Sequence, residues 1–600
     1  MLFHRTLWAC NSDSGSRGWV ATDPSRAEEG RSPVSDRNKR AGSRRVLVVG
    51  AGPVGLSLAI ELGWRGVPVT VIDQGDGRVP FPAGEAIFSR TMEHLRRWGC
   101  AERARAESAP PTDYPHRTVF ATSVTGHVLA EFDYGVTNRS PGTYGPLTPE
   151  GPAFLSKFSF LPLLERTARG LPSVEIRFAT RLETFEQDSD GVLAVVRDLE
   201  SGASETLAGD YLVACDGGRS SVRRALGVEF EGMFAQGQNF AVHFRAPHLS
   251  DLLRERLGGP AVQIHTLSSA RRPYVTVVNG VDEWRLSVYL EQEPEPGDAV
   301  AWVHEAVGAP IDVEILAAQP WSGHCVVAGS YRAGRVFLAG DAAHLLWPKG
   351  GFGANTGIGD AVDLGWKLAA VLQGWGGPAL LDSYELERRP IAVRNVTEAS
   401  SNWRSDSQLA PDAALGRADA EGDRARGEMG EMIRRWRGKE FRCTGVQLGY
   451  RYGGSPICVP DGTPEPPDEP DDYVPSTWPG CRAPHVRLPD GSSVLDHFGR
   501  GFVLVVSGTA DPSPLVKAAR RRGVPLTVLP LADPAGARLY ERPLVLVRPD
   551  GHVGWRGEQA PADPVAVLDR LRGAAESGNP AADSVMVTEA VPAKAGTRQL

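Results

Sequence analysis

Short, predominantly apolar segments recur along the first two thirds of the chain, and each is followed by a glycine or an aspartate. The clearest are 46–49, 67–72, 211–215 and 336–339. A continuous apolar run of this length is typical of a parallel strand that is buried on both faces. The segment 55–63 has glycine or alanine at every fourth position, so it predicts a helix that can lie close against a sheet. The pattern therefore predicts an α/β fold with a parallel, Rossmann-like sheet.

A different periodicity appears between residues 233 and 324. The segments 239–247, 272–280 and 283–292 have the alternating apolar and polar positions of half-buried strands. They predict a second sheet.

The C-terminal region follows a Pro- and acid-rich linker, 459–479, and has its own pattern of elements. Asp550 and Gly551 form a hairpin signal between two strands. This order of elements predicts a small thioredoxin-like α/β unit. The expected strands are 502–506, 525–529 and 544–547, and the expected helices are 513–522 and 564–572.

Composition indicates a globular protein of several domains. The chain has 600 residues, 41% of them hydrophobic, and its net charge of −8 favours neither nucleic acid nor a membrane surface as a partner. The seven cysteines form no CxxC pair, which excludes a thiol redox motif and a zinc ribbon and favours a cytoplasmic protein without bound metal. We expect 1–42 to be a disordered N-terminal extension and 576–600 a disordered tail.

The first predicted strand leads into a GxGxxG loop. Gly50, Gly52 and Gly55 form this motif, a helix follows, and the second strand ends in Asp73. Gly50 would make the tight turn, Gly52 would let the backbone approach a pyrophosphate, and Asp73 could accept a hydrogen bond from a ribose hydroxyl. An acid rather than an arginine at position 73 suits FAD or NAD better than NADP.

Two later strands also end in short motifs with an acid. Asp216 and Gly217 end one of them, and Ser220 can then cap a short basic helix. By its residues alone this is an ordinary strand-to-helix turn. Gly340 and Asp341 end the other strand.

The glycine-rich segment 347–361 follows the strand 336–339, and a helix is expected from about Thr356. The GxGxxxG spacing over 351–357 is not a second dinucleotide motif, because Pro348 and Lys349 precede it instead of a strand.

Together the three motifs resemble those of the class A flavoprotein aromatic hydroxylases, which have the p-hydroxybenzoate hydroxylase fold. SRTMEHLRRWG (89–99) resembles the helix after the second strand in this family, and YELERRPIA (384–392) resembles the end of its flavin domain. The resemblance covers roughly residues 44–397. The C-terminal unit is similar to the third domain of phenol hydroxylases and of bacterial aromatic polyketide hydroxylases.

The resemblance implies an FAD-binding domain of Rossmann type, an interleaved β-sheet substrate domain and a C-terminal thioredoxin-like domain. The FAD-binding domain would comprise 43–116, 154–232 and 325–397, the substrate domain 117–153 and 233–324, a helical connector and linker 398–480, and the thioredoxin-like domain 481–575.

The resemblance also implies the residues that meet FAD, from the ADP half at the first loop to the ring at 348–358. Pro348 would back the flavin on its oxygen side and is the expected catalytic residue, and N–H groups near 355–358 would face the pyrimidine end of the ring. The expected cofactor residues are Gly50, Gly52, Pro53, Val54, Gly55, Asp73, Gln74, Arg90, Lys157, Leu182, Asp216, Gly217, Gly340, Asp341, Gly351, Gly353, Asn355, Thr356, Gly357 and Ile358.

The chain departs from the family pattern at three positions. Ala83 stands where a basic residue is common, and Arg90 or Arg78 could substitute for it. Lys157 stands where the family often has glutamine, and Leu161 where it often has glutamate.

The implied activity is that of an FAD-dependent monooxygenase. NADPH or NADH would meet the flavin transiently, O2 would form a flavin C4a-hydroperoxide, and one oxygen atom would hydroxylate an aromatic, polyketide-derived polycyclic substrate. Baeyer–Villiger-type oxygen insertion on the same fold stays open, as does a flavoprotein that sequesters an aromatic drug without turnover. The expected partners are this substrate and O2, and a homodimer stays open.

The candidate substrate residues are aromatic side chains in the alternating strands, although each could instead belong to the core. They are Phe240, Tyr274, Trp284 and Tyr289. His243, His324 and His344 could exchange protons, but the sequence assigns no catalytic base.

Overall fold

The computed structural model describes residues 45–83, 86–136, 144–234, 238–267, 269–290, 298–441 and 443–574. The expected extension over 1–42 and the tail over 576–600 lie outside the described residues. The strands are β1 (Val46–Val49), β2 (Val69–Ile72), β3 (Ala86–Ile87), β4 (Pro115–Ala121), β5 (Val128–Val136), β6 (Ala153–Phe154), β7 (Val174–Arg177), β8 (Thr180–Gln187), β9 (Val192–Asp198), β10 (Ser204–Gly209), β11 (Tyr211–Ala214), β12 (Phe230–Met233), β13 (Gln238–Arg245), β14 (Gln263–Thr266), β15 (Tyr274–Val277), β16 (Glu283–Leu290), β17 (Glu314–Ser322), β18 (Cys325–Ala328), β19 (Arg332–Ala333), β20 (Val336–Leu338), β21 (His344–Leu345), β22 (Phe502–Val506), β23 (Leu526–Pro530), β24 (Leu544–Val547) and β25 (Val553–Gly557).

The α-helices lie between and after these strands. They are α1 (Pro53–Trp64), α2 (Ser89–Arg97), α3 (Ala101–Ala106), α4 (Lys157–Arg169), α5 (Ser221–Ala225), α6 (Leu249–Arg256), α7 (Asp298–Val307), α8 (Phe352–Leu372), α9 (Ala379–Ser407), α10 (Ala420–Phe441), α11 (Thr444–Leu448), α12 (Ser513–Arg522), α13 (Pro534–Leu539) and α14 (Pro564–Leu571). Among these described helices, none combines the length and the apolar character needed to cross a bilayer.

The first sheet has six strands in the order β19-β20-β11-β1-β2-β7, and all neighbours except β19 and β20 pair in parallel. β1 is buried along its whole length, as its apolar run predicts. Small residues bring α8 close to α1, since a Cβ at Gly365 would lie 2.6 Å from Glu61 Cγ. This is the Rossmann-like sheet that the apolar segments predict.

The second sheet has seven strands in the order β17-β13-β16-β15-β14-β4-β5, and it contains the three strands predicted from the alternating segments. Its two faces differ. Along β16, Trp284 and Leu286 are fully buried in a hydrophobic core with α7, whereas Arg285 and Ser287 line a cavity on the other side. The period of two in the sequence therefore separates a core face from a cavity face.

The C-terminal unit is a four-stranded sheet in the order β23-β22-β24-β25. β22 pairs in parallel with β23, and the pairs β22–β24 and β24–β25 are antiparallel. The predicted strands, the hairpin at Asp550 and Gly551, and both helices are present, with bounds that differ from the prediction by at most one residue. This arrangement matches the expected thioredoxin-like unit. The division of the chain into domains by residue number stays a prediction.

Buried ion pairs join this unit to the N-terminal part of the chain. Arg482 donates two hydrogen bonds to the carboxylate of Glu93 on α2. Arg548, on the loop after β24, is fully buried and donates to both carboxylate oxygens of Glu387 on α9, at 2.6 and 2.8 Å. Because removing one partner of such a pair leaves a buried charge unpaired, these contacts hold the two parts in one orientation.

Candidate active site

The first glycine loop follows β1 and packs tightly against the turn after β11. Gly50 has a φ of +106°, and a Cβ at this position would lie 2.3 Å from Cys215 O. A Cβ at Gly55 would lie 1.9 Å from Gly50 O, so only glycine fits at both positions. Gly52 is the N-cap of α1, and a Cβ there would meet nothing within 4 Å. The loop thus has open space at a helix N-terminus, which is where proteins commonly bind phosphate groups.

Asp73, at the end of β2, stabilises the same loop by hydrogen bonds. Its carboxylate accepts hydrogen bonds from Ala51 N and Gly75 N, both at 2.7 Å. Each carboxylate oxygen can accept more than one hydrogen bond, so the group retains capacity for a ribose hydroxyl. Asp73 and the neighbouring Gln74 both line the cavity.

The turn after β11 is stabilised by its own aspartate. Asp216 Oδ2 accepts from Ser221 N at 2.8 Å and from Ser221 Oγ at 3.2 Å. Ser220 caps α5 by accepting from Arg223 N at 2.9 Å, as the sequence predicts. Gly217 has a φ of +81°, and a Cβ there would meet nothing within 4 Å. The turn therefore presents bare backbone to the cavity.

A buried carboxylate orients the third turn, which is formed by Gly340 and Asp341. Asp360, on α8, accepts from Gly340 N at 3.0 Å and from Arg388 Nε at 2.8 Å, and its Oδ2 lies 2.8 Å from His344 Nε2. Burial alone would raise the pKa of Asp360, but His344 and Arg388 outweigh burial and hold the pKa below its usual value. The ionised Asp360 therefore keeps the turn in one orientation.

The Asp341 side chain lines the cavity and has no hydrogen-bond partner among the described residues. Burial raises the pKa of its carboxyl group, while His344 and Lys157 act in the opposite direction. A carboxyl group in this setting favours a neutral hydroxyl donor, and the ribityl chain of a flavin would supply one.

Helix α8 begins about four residues earlier than the sequence predicts. Its first residue, Phe352, is 1% exposed and packs against Phe88 with ring centres 5.7 Å apart. Asn355 Oδ1 accepts from Phe88 N at 2.8 Å. These contacts outweigh the low helix propensity of glycine and asparagine. The N–H groups of 355–358 therefore lie inside the helix, and the unpaired N–H groups belong to the first turn, which starts at Phe352.

A single cavity connects the three turns with the seven-stranded sheet. Its volume is about 1060 Å³, slightly above the range of about 300–1,000 Å³ for small-ligand sites. It therefore has room for a dinucleotide, with an aromatic ligand at the sheet. The expected site residues that line it are Gly50, Gly52, Pro53, Val54, Asp73, Gln74, Lys157, Leu182, Asp216, Gly217, Tyr274, Asp341, Pro348, Gly351 and Gly353.

The other expected cofactor residues do not line this cavity. Those that lie behind its wall are Gly55, Gly340, Asn355, Thr356, Gly357 and Ile358. Arg90 faces the C-terminal unit, where it pairs with Glu93 at 2.8 Å and donates to Asp550 O at 2.5 Å. The Arg78 side chain is 88% exposed. Neither arginine is among the described residues that line the cavity, so a cofactor contact of either one stays a prediction.

Three other arginines line the cavity in the region of the first two turns, and sequence reasoning missed them. They are Arg181, Arg219 and Arg224. Arg219 and Arg224 follow the motif at Asp216 and Gly217 within eight residues, so their position in the sequence could have predicted that they lie near it. Arg181 precedes Leu182 on a strand and had no such signal.

Of the four expected substrate aromatics, the structure brings only Tyr274 to the cavity. Trp284 is fully buried in the core face of β16, and Phe240 packs edge-on against Trp302 of α7 with ring centres 5.6 Å apart. Tyr289 lies under the guanidinium of Arg272. Phe240 and Trp284 face the core because a strand side chain faces either the core or the cavity, and aromatic character does not distinguish the two faces. Tyr289 shares the face of Arg285 and Ser287 on β16 but does not line the cavity.

The substrate end of the cavity has polar and aromatic residues that carried no motif. His265 is stacked between Phe120 and Tyr274, at ring-centre distances of 4.6 and 5.2 Å. His116 also lines the cavity, and burial lowers its pKa to about 4. The alternation of β14 could have directed attention to His265. His243 and His344 contact carboxylates instead, those of Glu283 and Asp360.

The N-terminal part of the chain matches the family profile described as FAD binding domain over residues 43–399. Residues 476–575 match the profile described as aromatic-ring hydroxylase, C-terminal. A putative polyketide hydroxylase of Streptomyces halstedii is 34% identical over 549 residues, which cover 86% of this chain and 93% of that protein.

Two solved structures show the same fold over most of both chains. RebC with bound 7-carboxy-K252c, from crystals soaked with chromopyrrolic acid, is 39% identical at a TM-score of 0.83 and covers 89% of this chain and 99% of its own. A ternary complex of aklavinone-11 hydroxylase with FAD and aklavinone is 32% identical at a TM-score of 0.75 and covers 88% and 99%, respectively.

Proposed function

The chain belongs to the family of FAD-binding aromatic-ring hydroxylases, and from that premise we propose that it transfers one oxygen atom from O2 to a ring of a polycyclic, polyketide-type substrate. It is an FAD-dependent monooxygenase, and NADPH or NADH is the electron donor typical of this class. Bound FAD would supply the redox chemistry, which is the two-electron reduction by the nicotinamide and the activation of O2.

The observation that carries this proposal is the continuity of the cavity. It runs from the first glycine loop, past the Asp341 turn, to Pro348 and the sheet residue Tyr274. A dinucleotide bound at one end and an aromatic ring at the other would therefore meet beside the loop at Pro348. Such positioning of two reactants is the main contribution that a protein makes to a cofactor reaction.

The residues of this chain would divide the binding between them. Open backbone at Gly52 and at the start of α1 would receive the pyrophosphate, and Asp73 would accept a ribose hydroxyl. Asp341 would accept from the chain that links ribose to the ring. The first turn of α8 would place its N–H groups and the positive end of the helix dipole near the ring, where they stabilise negative charge.

Ring hydroxylation is favoured over the two alternatives that the sequence left open. The relatives include a tetracenomycin A2 monooxygenase-dioxygenase and an aklavinone 12-hydroxylase, and the aklavinone-11 hydroxylase was solved with FAD and aklavinone together. The two hydroxylase names describe hydroxylation, and none of the three names describes ester formation or sequestration. A homodimer stays a prediction.

Purified protein tests the proposal directly. It should carry FAD, and a screen of single-ring phenols and multi-ring polyketides should find compounds that accelerate NADPH or NADH oxidation. With labelled O2, mass spectrometry should find one labelled oxygen atom in the product, and NMR should place it as a ring hydroxyl. A colourless protein that does not take up FAD would overturn the proposal. An ester oxygen in the product would replace hydroxylation with Baeyer–Villiger insertion.

A further inference from the structure

A buried cluster of charges lies between α8, α9 and the C-terminal unit. Lys367, on α8, is fully buried, and its Nζ donates to Asp363 Oδ2 at 2.7 Å and to Glu387 Oε2 at 2.5 Å. Glu387 belongs to α9, so the ammonium group joins the two helices. One cation cannot neutralise two buried carboxylates, and burying an unpaired charge is costly. A second cation is therefore expected beside them.

Arg548 of the C-terminal unit supplies that cation. Its guanidinium donates to both carboxylate oxygens of Glu387, to Asp363 Oδ1 at 3.3 Å and to Asp550 Oδ2 at 2.6 Å. Burial alone would raise the pKa of Glu387, but Arg548 and Lys367 outweigh burial and hold the pKa at about 2. A planar guanidinium has five donors and can meet several carboxylates at once, whereas a lysine ammonium is a point charge. The position of the ionised Glu387 therefore depends on Arg548.

Two consecutive residues of α9 hold α8 at two levels. Glu387 contacts Lys367 in the second half of α8. Arg388, the next residue, donates to Thr356 O at 2.9 Å and to Asp360 Oδ1 at 2.8 Å in the first half. A shift of α9 at Glu387 would therefore also move the contacts that Arg388 makes near the start of α8.

The first turn of α8 borders the cavity, and its own sequence favours a helix only weakly. Phe352, Gly353 and Ala354 line the cavity. Glycines lie within α8 at positions 353, 357, 359 and 365. Each glycine disfavours a helix relative to alanine, and none provides a side chain that could pack. The position of this turn therefore depends on tertiary contacts, and the contacts from α9 depend on Arg548.

We propose that Arg548 is a positioning residue for the cofactor, and that the C-terminal unit acts on the cavity through it. By holding Glu387 and Asp363, Arg548 keeps α8 in the position in which its first turn borders the cavity. Arg548 is not among the described residues that line the cavity, so it acts through these two carboxylates. The inference concerns the retention of FAD and does not require the proposed hydroxylation.

Full-length holoenzyme with Arg548→Met tests this inference. Hydrogen–deuterium exchange measured by mass spectrometry should be about tenfold faster or more in peptides that cover 352–360. FAD should also dissociate about tenfold faster or more, because the helix beside it is less well ordered. Arg548→Lys keeps the charge, but an ammonium group cannot replace all the contacts of the guanidinium, so it should give an intermediate rate. If Arg548→Met does not fold, Arg548→Lys takes its place.

The matched control is Arg556→Met, in the same unit. Arg556, on β25, has 5% of its side chain exposed and pairs with Asp461 and Glu541, neither of which belongs to α8 or α9. Its replacement also removes a buried guanidinium from the C-terminal unit, so the midpoint of urea unfolding should fall. Exchange at 352–360 and the rate of FAD release should nevertheless match the wild type.

A double variant tests whether Arg548 acts through α9. Glu387→Gln removes the carboxylate that Arg548 holds, so it should also speed the release of FAD. Because both residues act through one contact, Glu387→Gln combined with Arg548→Met should release FAD no faster than the faster single variant. Two independent effects on the structure would instead multiply.

Three results would overturn the inference. They are wild-type exchange at 352–360 and wild-type FAD release in Arg548→Met, equally fast FAD release in Arg556→Met and Arg548→Met, and multiplied rates in the double variant. The proposed function fails separately, because it requires product formation. A protein that retains FAD through Arg548 but hydroxylates no aromatic compound would keep this inference and refute the reaction.

Discussion

Asp360 is the residue on which the turn at the cofactor end most depends, and replacing it by asparagine tests this directly. The carboxylate is fully buried and contacts Gly340 N, Arg388 Nε and His344 Nε2 at 3.0, 2.8 and 2.8 Å. Arg388 also donates to Thr356 O at 2.9 Å, so the same pair connects the turn to the first turns of α8. Asp360→Asn keeps the size of the side chain and removes its charge.

The expected cost follows from the burial of the pair. The Arg388 side chain is 1% exposed and Asp360 0%, so the variant leaves a guanidinium in the interior without its anion. Removing one partner of a buried pair costs about 3–5 kcal/mol. The amide can still accept one hydrogen bond, so we expect the lower part of this range. Because Gly340 N and His344 lose their anchor as well, FAD should dissociate faster.

Urea unfolding followed by flavin fluorescence and by far-UV circular dichroism measures both effects. Asp382→Asn is the matched control, because Asp382 lies on α9 with 67% of its side chain exposed and pairs with Arg332 at the surface. Exposed pairs contribute about 0–1 kcal/mol, so this variant should behave as the wild type does.

The pH dependence adds a second check. The pKa of Asp360 is held below its usual value, so its contribution is present above about pH 4, the value of the unfolded chain, and is lost as pH falls through the lower folded value. The difference in stability between wild type and variant should therefore shrink only as pH falls below about 4. An unfolding midpoint and a rate of FAD release equal to those of the wild type would refute the assigned role of Asp360.

Three further predictions concern the cofactor loops and the interface between the two parts. Gly52→Ala should fold normally, since its Cβ meets nothing within 4 Å, but should retain FAD about tenfold less well because the methyl group occupies the space proposed for pyrophosphate; unchanged flavin content after dialysis would contradict this. Pro348→Gly should keep FAD and raise the fraction of NADPH oxidised to peroxide without product, and unchanged coupling would remove Pro348 from the mechanism. Burial alone would raise the pKa of Glu93, but Arg482 and Arg90 hold it at about 2, so its stabilising contribution should persist from neutral pH down to about pH 4 and disappear as pH approaches 2. If the loss of stability caused by Glu93→Gln already shrinks between about pH 7 and about pH 5, this interpretation is wrong.

Local sequence was sufficient to predict the structure of segments whose geometry depends only on residues close together in the chain. Gly50 and Gly55 admit no Cβ, and the motif located both glycines without further information. The bounds of β1, β22 and α12 agree with prediction because apolar runs and a terminal glycine define them. The capping role of Ser220 likewise depends on a bond to a residue three positions away.

The sequence could not predict the role of a residue that depends on a partner far away along the chain. Arg90 carries no local sign that it would face Asp550 O, 460 positions further on, instead of a cofactor. The start of α8 is decided by the burial of Phe352 against Phe88, a contact that overrides the low helix propensity of the glycines around it.

The geometry of the proposed cofactor end was therefore determined by sequence, because phosphate and ribose would be held by backbone and by residues at strand ends that one motif brings together. The substrate end was decided by the tertiary structure alone. Lys349 lies beside Asp406 and Tyr274 only after a loop, a long helix and a sheet from three separate parts of the chain have packed together. An alternating strand tells which side chains share a face, and only the packed structure tells which face is the cavity.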